Sequence, residues 1–193
     1  VISSNRHLFG IEEGKIHIFG TDEDGQDIFS RTLHAIWTSL QVGTIGVLIA
    51  FVLALIIGGV SGYYGGWIDM VFMRYIDLQW AFPNFIIAVY LVAVFGTGLL
   101  TGIVAIALAF LDDFARVARS MVLTLKQEQY IDAAKVQGFS DFRIMMRHIL
   151  PNAIAPIIVQ ATVSVSYAIL GEASLSFLGL GVSSDTPTSV SYT

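Results

Sequence analysis

Three stretches of this chain contain no Asp, Glu, Lys or Arg: Thr32 to Ile68, Leu78 to Leu111, and His148 to Gly171. Each exceeds the ~18–20 residues needed to cross the hydrocarbon core of a bilayer. Lipid offers no hydrogen bonds, so a spanning segment must satisfy its own backbone, as a helix does. Three such runs predict an all-α, polytopic integral membrane protein. Composition agrees, with 55% hydrophobic and only 13% charged residues, against about 25% charged in a typical soluble domain. The net charge of −5 says less about partners than the places where charges fall. With no cysteine in the chain, a disulfide framework and a thiolate metal site are both excluded.

Residues 1–30 form a polar, acidic segment, with Glu12, Glu13, Asp22, Glu23, Asp24 and Asp27 against Arg6 and Lys15. Spans are expected at about 37–60, 70–94, 99–119 and 152–182, followed by a polar tail, 183–193. The glycine-rich "GGVSGYYGGW" ends the first span, Pro83 should kink the second, and "FGTG" makes a tight turn before the third. Six of the ten Lys and Arg residues lie between Arg116 and Arg147. The preference of basic loops for the cytoplasm therefore puts that region inside and residues 1–30 outside.

The segment at about 125–150 is unlike its surroundings. Leu125 to Gln137 is rich in helix formers, and Lys135 suits a helix C-terminus. Gly138 can take the left-handed conformation that ends a helix. Ser140 is a natural N-cap for a second short helix, with Asp141 in its first turn. Phe142, Ile144, Met145, Met146 and Ile149 interleave there with Arg143, Arg147 and His148, and Pro151 is expected to stop the helix. A bent helix pair with an apolar, Met-containing face suits a membrane surface or a groove on another protein.

"DAAKVQGFSDFRIMMRHILP" resembles the EAA signature of ABC importer permease subunits. Asp132, Ala133, Ala134, Gly138, Leu150 and Pro151 fall on its positions, with Asp132 where Glu is commoner. "FGTDEDGQDIFSR" (with Gln26 where Arg is usual), "GYYGGWIDMVFMRYIDLQWAFP" and "EASLSFLGLG" resemble further stretches of the peptide/nickel permease family, in its C-type subunit. The resemblance runs from about Phe19 to Val182.

It implies an ABC importer type I permease fold, and a loop that docks as a coupling helix in a groove of a cytoplasmic ATPase. Gly138 would allow the bend, and Phe139 to Met146 (Phe139, Asp141, Phe142, Met145 and Met146 among them) would supply the contact. The plainer reading is a solvated helix between spans. Implied partners are a homologous second permease subunit, cytoplasmic ABC ATPase subunits, an extracytoplasmic binding protein and the lipid bilayer, with no nucleic acid. No cofactor is expected on this chain, since ATP would sit on the partner subunits. Di- or oligopeptides are the implied substrates, with nickel or other small solutes as the alternative. The family pattern also implies a further span before residue 1 and another after the tail.

No catalytic set is readable. "GIEEGKI" lacks the Gly-x4-Gly-Lys-Ser/Thr spacing of a phosphate loop, and His7, His17, His34 and His148 show no metal-ligand spacing. Asp112 and Asp113, where the family often has an aromatic-Pro-Gly stretch, stand about 13 residues into their span. Either one carboxylate lines the pathway and favours a cationic group, or the pair is wetted near the cytoplasmic edge, which is the favoured reading. Glu172 resembles the family's Glu at that place; it either binds substrate or, as the favoured reading, stands at a helix break beside Gly171, Gly179 and Gly181 with its carboxylate satisfied by backbone or a partner subunit. Trp37, Trp67 and Trp80 read as interface anchors. An ATP-independent carrier or channel is the competing function class; a membrane-embedded enzyme lacks any convergent catalytic residues.

Overall fold

A computed structural model describes residues 10–12, 15–17, 19–20 and 27–177. Most of the acidic segment, all of the 183–193 tail, His7, Gly179 and Gly181 lie outside the described residues. Strands β1 (Gly10–Glu12) and β2 (Lys15–His17) pair antiparallel. Within "GIEEGKI", Gly10–Glu12 and the residues from Lys15 on are therefore strand, and none of these described residues opens a helix as a phosphate loop does.

Helix α1 runs over Ile28–Tyr64, further in both directions than its apolar core suggests. Asp27 caps it, accepting from the Ser30 N–H at 3.2 Å. At ~1.5 Å per residue this helix is longer than the ~30 Å hydrocarbon layer. Helices α2 (Gly66–Trp80) and α3 (Asn84–Phe95) follow, then α4 (Leu99–Leu125), α5 (Gln129–Val136) and α6 (Asp141–Ile144). A π-helical turn, Met145–Ile149, leads into α7 (Leu150–Phe177). By length and composition α1 and the α6–α7 unit can each cross a membrane, and α2 with α3 can form a third, broken crossing.

What holds the spans together is a seam of small residues. Gly46, Ala50, Ala54, Gly58 and Gly62 repeat every fourth position of α1, so they line one helix face. A Cβ built on Gly46 would fall 2.7 Å from Ile106, one on Gly58 2.5 Å from the Ala115 carbonyl, and one on Gly62 2.9 Å from the Arg119 carbonyl. The contacts advance together along both helices, so α1 and α4 run parallel with their backbones nearly touching. Gly43 extends the seam to Ile169 of α7. In lipid, where apolar side chains gain little from leaving their solvent, such backbone approach is a main source of helix association. Large apolar residues point outwards instead, among them Trp37, Leu48, Ile56, Leu100 and Leu170.

Polar contacts fasten α2 to α4. Arg119 holds both oxygens of Asp69, donating from Nε at 2.5 Å and from Nη2 at 2.6 Å. Arg116 reaches Asp77 at 2.9 Å while its guanidinium lies 5.1 Å from the Trp80 ring centroid. The Gln79 amide donates to the Leu108 carbonyl.

Several local expectations are corrected. Pro83 does more than kink its span: α2 and α3 meet at 85°, because the residues before a proline are driven from helical geometry and its ring cannot donate. Leu125 to Gln137 is not one helix, since the chain turns at residues 126–128 between α4 and α5. Nor does Pro151 stop the helix. The Leu150 N–H reaches back to the Met145 carbonyl, and that widened turn accommodates the proline ring within the first turn of α7, where a donor is dispensable. The Asn152 amide donates to the His148 carbonyl at 2.7 Å. Finally, α7 continues through Glu172 without a break.

The seam predicts opposite outcomes at neighbouring glycines. In the full-length protein in detergent, Gly58→Ala should lower the thermal midpoint, since overpacking costs about 1–3 kcal/mol. At Gly59 an added Cβ meets nothing closer than Leu150 at 3.8 Å, so Gly59→Ala should be neutral or stabilising through better helix propensity. Equal midpoints for the two variants would contradict the seam.

Candidate coupling site

The α5–α6 segment is anchored by a core of its own. Ile131 and Ala134 of α5, Ile144 of α6, and Met145 and Ile149 of the π turn pack with Tyr63 and Val122 at the ends of α1 and α4. Leu125, Phe139 and Leu150 close the cluster. This apolar cluster is separate from the one along the α1–α4 seam.

The bend at Gly138 is a Schellman turn. Gly138 sits at φ 79°; its N–H donates to the Lys135 carbonyl at 2.9 Å, and the Phe139 N–H donates to the Ala134 carbonyl at 3.2 Å. That is the paired bonding by which a left-handed residue closes a helix. Ser140 then caps α6, its hydroxyl accepting from the Arg143 N–H at 3.4 Å. Two helix ends are satisfied within five residues, which makes the bend rigid rather than slack.

The residues singled out in the sequence divide between two faces. Met145 and Ala134 turn inwards, and Leu150 is half-buried. Phe139 is half-buried too, with the Arg143 guanidinium 5.3 Å from its ring centroid and the His148 ring stacked at 6.0 Å. Phe142 (71% exposed) and Met146 (51%) face outwards, one turn apart. Val136, 89% exposed at the end of α5, joins this outward apolar set. It was missed in the sequence because it lies among polar residues before the glycine. Asp132, Ala133, Gly138, Asp141 and Pro151 are exposed, with Asp132 paired to Lys135 at 3.0 Å. Exposed charged and apolar groups on one rigid bend suit recognition of a protein surface. Among the described residues no cluster of His, Asp and Glu could hold a metal.

The pattern of a binding-protein-dependent transport system inner membrane component matches residues 50–191. The chain belongs to that family. A dipeptide transport system permease protein DppC from Alkalihalophilus pseudofirmus is 46% identical over 171 residues, covering 89% of this chain and 56% of the relative. The DppC of Bacillus subtilis is 43% identical over 86% of this chain and 52% of its own length. A glutathione transport system permease protein GsiD from Pectobacterium atrosepticum is 40% identical, with 89% and 57% covered. The chain thus spans about half the length of the curated relatives it matches. A chain of the MetNI methionine ABC transporter, solved in inward-facing conformations, superposes with a TM-score of 0.70 over 80% of this chain and 77% of that one. At 18% identity that likeness shows a shared fold. This inner-membrane component is therefore an all-α, multi-pass protein with an importer-permease fold.

The two acidic features of the spans behave differently from expectation. Asp112 is not wetted: it is 1% exposed, and neither carboxylate oxygen has a hydrogen-bond partner among the described residues. Its neighbour Asp113 is exposed, since adjacent residues on a helix point about 100° apart. Glu172 is buried inside α7, and its oxygens accept from the Ser39 hydroxyl of α1 at 2.9 Å and the Ser176 hydroxyl at 2.7 Å. Side chains, not backbone, satisfy it, and the pair with Ser39 ties α1 to α7. An apolar groove of about 440 Å³ lies between the same two helices, with Thr44 and Thr162 as its polar lining residues.

A Cβ on Gly138 would meet nothing within 4 Å, so a substitution there is felt through the backbone alone. Gly138→Val should cost on the order of 1–2 kcal/mol for the left-handed conformation, and Gly138→Asn distinctly less. Thermal midpoints in the order Gly, Asn, Val would bear out the turn; an unaffected Val variant would contradict it.

Proposed function

We propose that this chain is the transmembrane core of a permease subunit in an ATP-driven importer of di- or oligopeptides. In this reading it pairs with a second, homologous permease, receives solute from an extracytoplasmic binding protein, and takes its power from cytoplasmic ATPase subunits. The observation that carries the reading is the rigid α5–α6 bend, which presents Val136, Phe142 and Met146 to solvent from a core of its own. Burying such side chains in a partner's groove contributes about 1.5–3 kcal/mol each, enough for a small lever to stay docked. The peptide class is supported by the dipeptide and glutathione systems named for its relatives. Hydrolysis of ATP belongs to the partners, and this chain supplies the path and the lever.

The test uses the full-length parent, purified with its ATPase subunits and reconstituted in liposomes with binding protein and a labelled dipeptide. Wild type should retain the ATPase and accumulate dipeptide only with ATP on the ATPase side. Phe142→Asp with Met146→Asp should lose the ATPase and at least tenfold of the uptake, with the membrane fold intact. Uptake that persists without ATPase subunits would overturn the reading in favour of a carrier.

A further inference from the structure

A coupling segment is useful only if its movement reaches the spans, and most of its contacts here are poorly suited to that. Ile131, Ala134, Ile144 and Met145 touch the ends of α1 and α4 through apolar surface, which holds parts together without fixing their direction. One contact differs. The Tyr63 hydroxyl, at the last turn of α1, donates to Asp141 Oδ1 at 2.7 Å. Among the described residues it is the one side-chain hydrogen bond between the α5–α6 segment and the spanning helices.

The same tyrosine is held from a third side. The Lys126 ammonium, just beyond α4, donates to the Tyr63 carbonyl and lies 5.4 Å from its ring centroid. Tyr63 itself is buried, so phenylalanine would fill the cluster equally well; the hydroxyl is needed for something other than packing. Asp141 is fixed in turn, because it opens α6 directly after the Ser140 cap. Three elements that must move in concert are thus joined at one side chain.

We propose that the Tyr63–Asp141 hydrogen bond passes the displacement of the docked segment to α1, making Tyr63 a positioning residue of the transport cycle. The inference rests on the docking reading given above. Loss of the bond leaves the apolar cluster and the outward face in place, so the ATPase stays bound while α1 no longer follows it.

The experiment uses the reconstituted full-length transporter and the solute that its wild type accumulates, with three readouts: retained ATPase, ATP hydrolysed, and solute taken up per ATP. Tyr63→Phe should retain the ATPase and hydrolyse ATP within about twofold of wild type, while uptake per ATP falls at least fivefold. Uptake per ATP should fall as far in Asp141→Leu as in Tyr63→Phe, Asp141→Asn should keep most of it because its side-chain oxygen still accepts, and uptake per ATP in the double variant should be no lower than in either single change. Unchanged uptake per ATP in Tyr63→Phe, additive losses in the double variant, or loss of the ATPase itself would each overturn the inference and leave the docking reading standing. A wild type that binds no ATPase would remove both.

Discussion

Everything in this protein hangs on the approach of α1 to α4. α1 is apolar on almost every face and α4 is apolar up to Asp112, and in lipid apolar side chains give neither helix a reason to prefer the other. The reason is shape. Five small residues on one stripe of α1 let the α4 backbone come so close that Gly58 has no room for a methyl group. The seam runs parallel, so the ends of the two helices emerge together, at Tyr63 and at Val122. That shared end is the floor on which the α5–α6 segment is built. A seam that slipped by one turn would separate Tyr63 from Asp141 and dismantle the site without touching any of its own residues.

The order of elements was legible in the sequence because the bilayer imposes such a simple rule. Uncharged runs longer than a membrane is thick mark the spans, and glycines and prolines mark their ends. What escaped was everything set by contact between spans. The charge-free run said nothing of which face of α1 would be buried, although Gly46, Ala50, Ala54, Gly58 and Gly62 were there to be counted at helical spacing. Pro83 announced a disturbance but not its 85° size, nor that Asp69 and Asp77 would fasten α2 to α4. Pro151 announced a helix end that a π turn avoids.

The site was half legible. Local backbone chemistry is short-ranged, so Gly138 as the left-handed residue and Ser140 as the cap follow from the sequence and stand in the structure. Which apolar residues face out is a tertiary matter. Met145 and Met146 are chemically identical neighbours, and only the packing of Ile131, Ile144 and Ile149 decides that the first is buried and the second free. Asp112 marks the opposite limit. Its isolation from any donor among the described residues follows from helix rotation, which no reading of charge spacing supplies.

These 193 residues contain no cysteine, so with any cysteine elsewhere in the full-length protein replaced by serine, the outward face of the bend can be tested as a docking surface one thiol at a time. Single cysteines at Val136, Phe142 and Met146 would be alkylated with a water-soluble maleimide in the full-length protein, with and without the ATPase subunits. The subunits should slow labelling at these three positions at least tenfold and leave Lys135→Cys, Asp113→Cys and Trp67→Cys less affected. Labelling of Val136, Phe142 and Met146 at the same rate in both preparations would contradict docking at this face.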